Sequence, residues 1–253
     1  MTGTLAVYEY FLVMYRRLWR ASVFSQFIAP LLFVVALGTG VGSFVNRGGS
    51  LGVDYLTYLV PGLIASTSMS LAVSESTFPV YGHFAWNRYY FAIQATPVHV
   101  GGMIAGQVAF LLTRTLIAGF AFLLVMGALG EVHGVGMLGV VLVGMLLALA
   151  VGPATMAFSA WVSSEAYFAL LFRFVVAPLT LFSGVFFPVS QLPGWLRPAA
   201  YVSPLWHGVE LCRSFAYAGF PLGKTLLHVG YLLLLSAAGL YAVRAAFLRR
   251  LER

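Results

Sequence analysis

Six long stretches of almost purely apolar residues limit what this chain can fold into. They run Ala21–Val45, Tyr55–Phe78, Val100–Leu129, Val135–Val162, Ala166–Phe187 and Thr225–Phe247. A hydrocarbon layer about 30 Å thick takes about 20 helical residues to cross. Lipid offers no partner for backbone N–H and C=O groups, so each stretch is satisfied only as a helix. An ordinary soluble domain has roughly a quarter of its residues charged, whereas only 8% of these 253 residues are charged and 61% are hydrophobic. That is too few charges to cover the chain in water. The expected fold class is all-α: a polytopic membrane protein with six transmembrane helices, folded as one transmembrane domain over residues 1–253.

The run from Ala21 to Val45 follows Arg16, Arg17 and Arg20 but is longer than the apolar part of a signal peptide and lacks an Ala-x-Ala ending, so it reads as a retained first span. An even number of spans puts both termini on one side. That side collects Arg16, Arg17, Arg20, Arg88, Arg244, Arg249, Arg250 and Arg253, about twice the positive charge of the side holding Arg47, Arg197, Arg213 and Lys224. Both termini are therefore expected in the cytoplasm.

Two segments fall outside the spans. Residues 1–20 carry Leu5, Tyr8, Leu12, Tyr15 and Trp19 at three- and four-residue steps, which suits an amphipathic helix lying in the cytoplasmic interface; the plainer alternative is an extension of the first span. Residues 188–223 hold Pro188, Pro193, Pro198, Pro204 and Pro221 interleaved with aromatic residues. Proline interrupts regular spans and aromatic rings favour the headgroup level, so short re-entrant helices before the last span are expected.

Motifs for covalent chemistry do not hold. Gly219 to Thr225 suggests a phosphate loop, but its first glycine is one residue too close to Gly223-Lys224-Thr225. A turn into the last span explains it. The histidines form no metal-ligand pair, His133 beside Glu131 reads as a solvated loop pair, and the single Cys212 excludes a multi-cysteine zinc site. No catalytic residue, no metal site and no cofactor of the chain's own is expected. The net charge of +7 forms no repeating basic face, so no nucleic acid partner is expected either.

Arg114 is the most informative charge. It lies near the middle of the third span, where an arginine costs about 2.5–3.5 kcal/mol on insertion scales. Such a residue faces a wet cavity, a polar partner or an interface; contact with an anionic or amphipathic substrate is one reading, and pairing with helix carbonyls or an acid is the other. Glu75 and Arg173, toward the cytoplasmic ends of their spans, either pair with each other or reach for the interface. Gly38-x-x-x-Gly42 and Gly102-x-x-x-Gly106 read as close helix packing.

Two stretches carry a resemblance. One runs Phe84-Ala-Trp-Asn-Arg-Tyr-Tyr-Phe to Thr96-Pro97-Val98 and on to Gly106-Gln107. The other runs Leu181-Phe-Ser-Gly-Val-Phe-Phe-Pro188 through Leu196, then Ser203-Pro204-Leu205 and Val209-Glu210-Leu211-Cys212-Arg213. With the six-span layout, the chain resembles the membrane subunits of type-two ABC exporters, especially the nodulation-factor (lipo-oligosaccharide) and daunorubicin-resistance permeases. Gln107 and Ser190 depart from that pattern, standing where acids are frequent. The resemblance implies that residues 79–99 form a coupling loop docking into a separate ABC ATPase subunit, with Trp86, Arg88, Tyr89, Tyr90, Thr96 and Pro97 in contact. ATP and Mg would be bound by that partner alone. It further implies a second permease copy or homologue and surrounding membrane lipid. Phe182, Phe186, Phe187, Trp195 and Trp206, with Arg114, would line or gate a substrate path through the bacterial cytoplasmic (inner) membrane. The function implied is alternating-access export of an amphipathic substrate: a drug, an antibiotic, a lipid or a lipo-oligosaccharide. The alternative is a polytopic membrane enzyme acting on a lipid or glycan.

Overall fold

A computed structural model of the chain describes residues 2–37, 40, 42, 53–128, 130, 134, 136–219 and 221–252. Among these the regular structure is helical throughout, with no strand. The long helices are α1 (Thr2–Ala36), α2 (Tyr55–Ser76), α5 (Val100–Ala128), α6 (Gly136–Trp161) and α11 (Leu222–Leu251). Between α2 and α5 lie the short helices α3 (Phe78–Ala85) and α4 (Tyr89–Gln94). After α6 come α7 (Ala166–Leu171), a π-helical turn Phe172–Val176, and α8 (Ala177–Phe182); then α9 (Arg197–Val202) and α10 (Pro204–Arg213), which ends in a second π turn, Ser214–Ala218.

Four helical units among the described residues are long and apolar enough to cross a membrane: Tyr55–Ala85, Val100–Ala128, Gly136–Trp161 and Leu222–Leu251; Ala166–Phe182 is a shorter apolar helix. Their starts follow from local chemistry. Asp54 caps α2 by accepting from Leu56 N at 3.1 Å, and Ser203 does the same for α10 through Leu205 N at 3.2 Å, each satisfying a backbone donor the helix itself cannot. Pro204 follows Ser203 at the first helical position, where its missing N–H costs nothing.

The last helix, α11, extends its apolar run by three residues at the start and four at the end, and two other differences from the expected boundaries have a local cause. The fifth apolar run stops at Phe182 and not at Phe187, because Gly184 takes φ 82, a left-handed conformation in which the helix cannot continue. Residues 1–20 form no separate helix: α1 runs helical through Ala21, as a chain with no glycine or proline from Thr4 to Ala29 readily does. The first half of α1 runs beside the start of α5, with Phe11 stacked on Phe110 at 5.4 Å and Tyr8 Oη 3.1 Å from Thr113 Oγ1. Gly106 makes this approach possible, since a Cβ there would stand 2.9 Å from both Thr4 O and Val7 Cβ. In lipid, where apolar burial drives little, close backbone contact of this kind holds helices together. The Gly38 side of the other small-residue pair, and Glu131 and His133, fall outside the described residues.

α6 sits at the centre, packed against α2, α5, α10 and α11. One core joins α2, α5, α6 and α10 around Leu59, Ile64, Met126, Leu147, Leu205 and Leu211. A second core, around Phe84, Tyr90, Met103, Met156 and Phe247, lies at the end where α3, α4 and the close of α11 meet. Gly3 against Val98 and Arg250 against the last carbonyls of α6 bring the described ends of the chain to this same end of the bundle. Residues 188–219 occupy the other.

Gly106→Leu drives a side chain into the α1 backbone. The expected result is a loss of about 1–3 kcal/mol of stability, read as a lower unfolding midpoint of the purified protein, with Gly106→Ser much milder.

Candidate functional site

The buried charge predicted to need a partner has one. Arg114 Nη1 lies 3.1 Å from Glu75 Oε1, with the arginine side chain 8% and the glutamate 20% exposed. Arg114 also places its guanidinium 4.4 Å from the Tyr15 ring centre, an attraction that strengthens when both groups are out of water. α1, α2 and α5 are thereby joined at one point. The pairing of Glu75 with Arg173 is not formed: Arg173 sits exposed on the π turn, while Glu75 faces α5. A cavity of about 230 Å³ opens at this pair, lined among others by Tyr15, His83, Gln107 and Met156. Arg114 Nε is buried beside it without a hydrogen-bond partner.

The loop between α3 and α5 is built on this region. Tyr90, fully buried, donates its hydroxyl to Gln107 on α5; burial pushes its phenol well above the usual range, so it remains a donor. Tyr89 is half-buried and stacked on Tyr10 of α1 at 4.2 Å, and Phe84 meets Phe247 of α11 at 4.9 Å. Trp86 (62% exposed), Arg88, Thr96 and Pro97 face outward. Arg88 adopts φ 53, a left-handed conformation that is uncommon for a non-glycine residue. Of the six residues assigned to docking from sequence, four face outward, Tyr89 is shared between the loop and α1, and Tyr90 faces inward and acts as the loop's anchor.

The opposite end is closed by a polar latch. Gly184 O accepts from Tyr58 Oη at 3.1 Å and from Arg213 Nη2 at 2.6 Å, while Arg213 lies 3.7 Å over the Tyr58 ring and 3.2 Å from Glu210. Arg213 was legible as a charge on the side away from the termini and as part of the Val209 to Arg213 stretch that carried the resemblance; its burial was not. His207 Nε2 lies 3.0 Å from Tyr201 O, which can only accept, so Nε2 holds the proton and Nδ1 accepts from His228 Nδ1 at 2.8 Å. Burial, with His228 adding, holds His207 down to about 4, consistent with a neutral ring. Phe182, Phe187 and Trp206 pack around a small core of Val189, Leu192 and Ala200, and Phe186 packs on the main core. Trp195 alone of the five aromatic residues projects freely, at 80% exposure. Arg114 is not brought together with them. Gly219 takes φ 75 ahead of α11, and Gly223, Lys224 and Thr225 of the same stretch lie in the first turn of that helix.

These features sit in an apolar helical bundle whose long helices suit a membrane. The chain belongs to the ABC-2 type transporter family, whose pattern matches residues 4–217. It is 30% identical over 249 residues to Nodulation protein J of Rhizobium leguminosarum bv. trifolii, covering 98% of this chain and 94% of that one. It is 29% identical to Nodulation protein J of Rhizobium meliloti (strain 1021), covering 98% and 93%, and 25% identical to the inner membrane transport permease YadH of Escherichia coli K12, covering 80% and 77%. The chain is a multi-pass membrane protein and an ABC transporter permease.

The latch gives a stability prediction. Arg213→Leu removes a charge-assisted hydrogen bond and a desolvated cation–π contact and is expected to cost about 2–4 kcal/mol. Tyr58→Phe, which leaves the ring and loses one neutral bond, costs about 1 kcal/mol. Thermal unfolding of the two purified variants measures both.

Proposed function

We propose that this permease exports an amphipathic substrate outward across the bacterial cytoplasmic membrane by alternating access, driven by a separate ABC ATPase subunit docked on residues 79–99. Two permeases, identical or homologous, form the path with two ATPase subunits, which bind the ATP and Mg. Each permease crosses the membrane six times, with both termini and the docking loop in the cytoplasm. The substrate class is a lipid-linked or lipo-oligosaccharide compound or an apolar drug or antibiotic, in keeping with the nodulation-protein relatives and the aromatic character of residues 188–217.

The observation that carries this reading is the two-sided loop. Its outer face offers Trp86 and Arg88, the residue types that anchor protein interfaces most often. Its inner face is fixed to α5 by Tyr90, to α1 by Tyr89 and to α11 by Phe84. A loop so held transmits a push as a rigid piece, since packed side chains shift together and do not deform gradually. Closure of the ATPase pair around nucleotide would then tilt α1, α5 and α11 together, which moves the Glu75–Arg114 cavity relative to the latch at Gly184. The free energy comes from the difference in nucleotide affinity between the two states.

Anchor residues at interfaces contribute about 2 kcal/mol or more, so Trp86→Ala and Arg88→Asn are each expected to weaken association with the ATPase subunit by roughly 30-fold. Asparagine tolerates the left-handed backbone at position 88. Tyr90→Phe is expected to lower the unfolding midpoint and leave association near normal. Co-purification with the ATPase and ATP-dependent substrate uptake into inverted vesicles read these outcomes. Full association of the Trp86 and Arg88 variants removes the docking proposal.

A further inference from the structure

A cleft of about 580 Å³ opens beside the α3–α4 loop, between the closing turns of α6 and α11. Among the described residues three guanidinium groups, those of Arg88, Arg249 and Arg250, line it, and no carboxylate does. Its floor is the small-residue face of α11 at Ala242 and Ala246, and its rim carries Trp161, 80% exposed at the last residue of α6. The three arginines are held differently. Arg250 is fixed: its Nη1 donates to Ser159 O, Ala160 O and Val162 O at 2.9, 3.0 and 3.2 Å, closing the end of α6, and its guanidinium lies 4.6 Å from the Phe84 ring. Arg249 is exposed. Arg88 is exposed too, carried on a left-handed residue and set 5.6 Å from the Phe91 ring.

From this geometry we infer a binding site for an anionic phospholipid, its phosphate held between Arg88 and Arg249 and one acyl chain laid along the alanine face of α11. Each element of the cleft matches part of that ligand. Cations at the end of a spanning helix attract an anionic headgroup. A tryptophan at the same level prefers the interface between headgroup and chain. Alanines on the lipid-facing side of α11 leave a groove that a larger side chain would fill, and this helix is the least buried of the four spanning units. A zwitterionic headgroup satisfies the arginines poorly, because its own ammonium competes for the phosphate. A lipid seated here touches the same loop that carries Trp86, so its occupancy sets the position of the loop. The inference shares Arg88 with the proposed docking face but rests on the cleft, and the lipid titration that tests it needs no partner.

The test uses the full chain purified in a neutral detergent and titrated with brominated phosphatidylglycerol or brominated phosphatidylcholine. Bromine quenches nearby indole fluorescence, and the difference between the protein and its Trp161→Phe variant isolates the signal at the rim. Trp161 is expected to be quenched at lower concentrations of phosphatidylglycerol than of phosphatidylcholine. Arg249→Gln and Arg88→Asn are each expected to weaken the anionic preference roughly fivefold, the effect of one basic residue at a membrane surface. Arg250 is left intact because it closes α6. Inorganic phosphate in excess is expected not to relieve the quenching. Equal quenching by the two lipids, an unchanged preference in the Arg249 variant, or full relief by inorganic phosphate overturns the assignment, the last by placing a soluble phosphate compound in the cleft. An Arg249 variant that keeps its lipid preference but no longer co-purifies with an ATPase subunit overturns it too, by giving the cleft to a protein.

Discussion

A charge inside an apolar bundle has to be neutralised or it unfolds the bundle, and Glu75–Arg114 is where this protein meets that constraint. Removing one partner of a buried pair typically costs about 3–5 kcal/mol, because the charge left behind has no water to turn to. The pair therefore specifies which helices are neighbours: α2 supplies the acid, α5 the base, and α1 the Tyr15 ring beneath the guanidinium. Apolar side chains in lipid do not discriminate one packing from another so sharply. Two charges 3.1 Å apart do.

From that point the structure extends in two directions. Toward the termini, Tyr90 bonded to Gln107, Tyr89 stacked on Tyr10 and Phe84 against Phe247 tie the α3–α4 loop to three long helices. Gly106, by admitting the α1 backbone, keeps α1 close enough for Tyr15 to reach Arg114. Toward the other end, Arg213 and Tyr58 converge on Gly184 O and hold the re-entrant residues against α2. Polar groups thus fix both ends and the middle of a bundle whose cores are apolar. Packed interfaces shift between discrete arrangements and do not deform continuously, which is what the proposed alternating access requires.

The helices themselves were legible in the sequence, because the need to satisfy every backbone group in lipid leaves little choice. Val100 and Tyr55 are helix starts both in the apolar pattern and in the structure. Arg114 stood out for its insertion cost alone. Its partner did not, since one sequence does not say which spans are adjacent, and Glu75 was equally compatible with Arg173. Tyr90 read as a surface residue because a six-residue helix is too short to show a buried face. The end of the fifth run at Phe182 turned on the backbone conformation of one glycine, Gly184, inside an apolar stretch. Burial of Arg213 needed the chain to fold back on itself after Pro204, and composition does not report that.

The pair at the centre is tested most directly by a thermodynamic cycle. Unfolding free energies of the purified protein, of Glu75→Gln, of Arg114→Gln and of the double variant isolate the energy the two side chains share. Each single replacement is predicted to lose about 3–5 kcal/mol, and the double to lose less than their sum by about 2–3 kcal/mol. Losses that add to within about 0.5 kcal/mol would show that Glu75 and Arg114 act independently and would contradict the account.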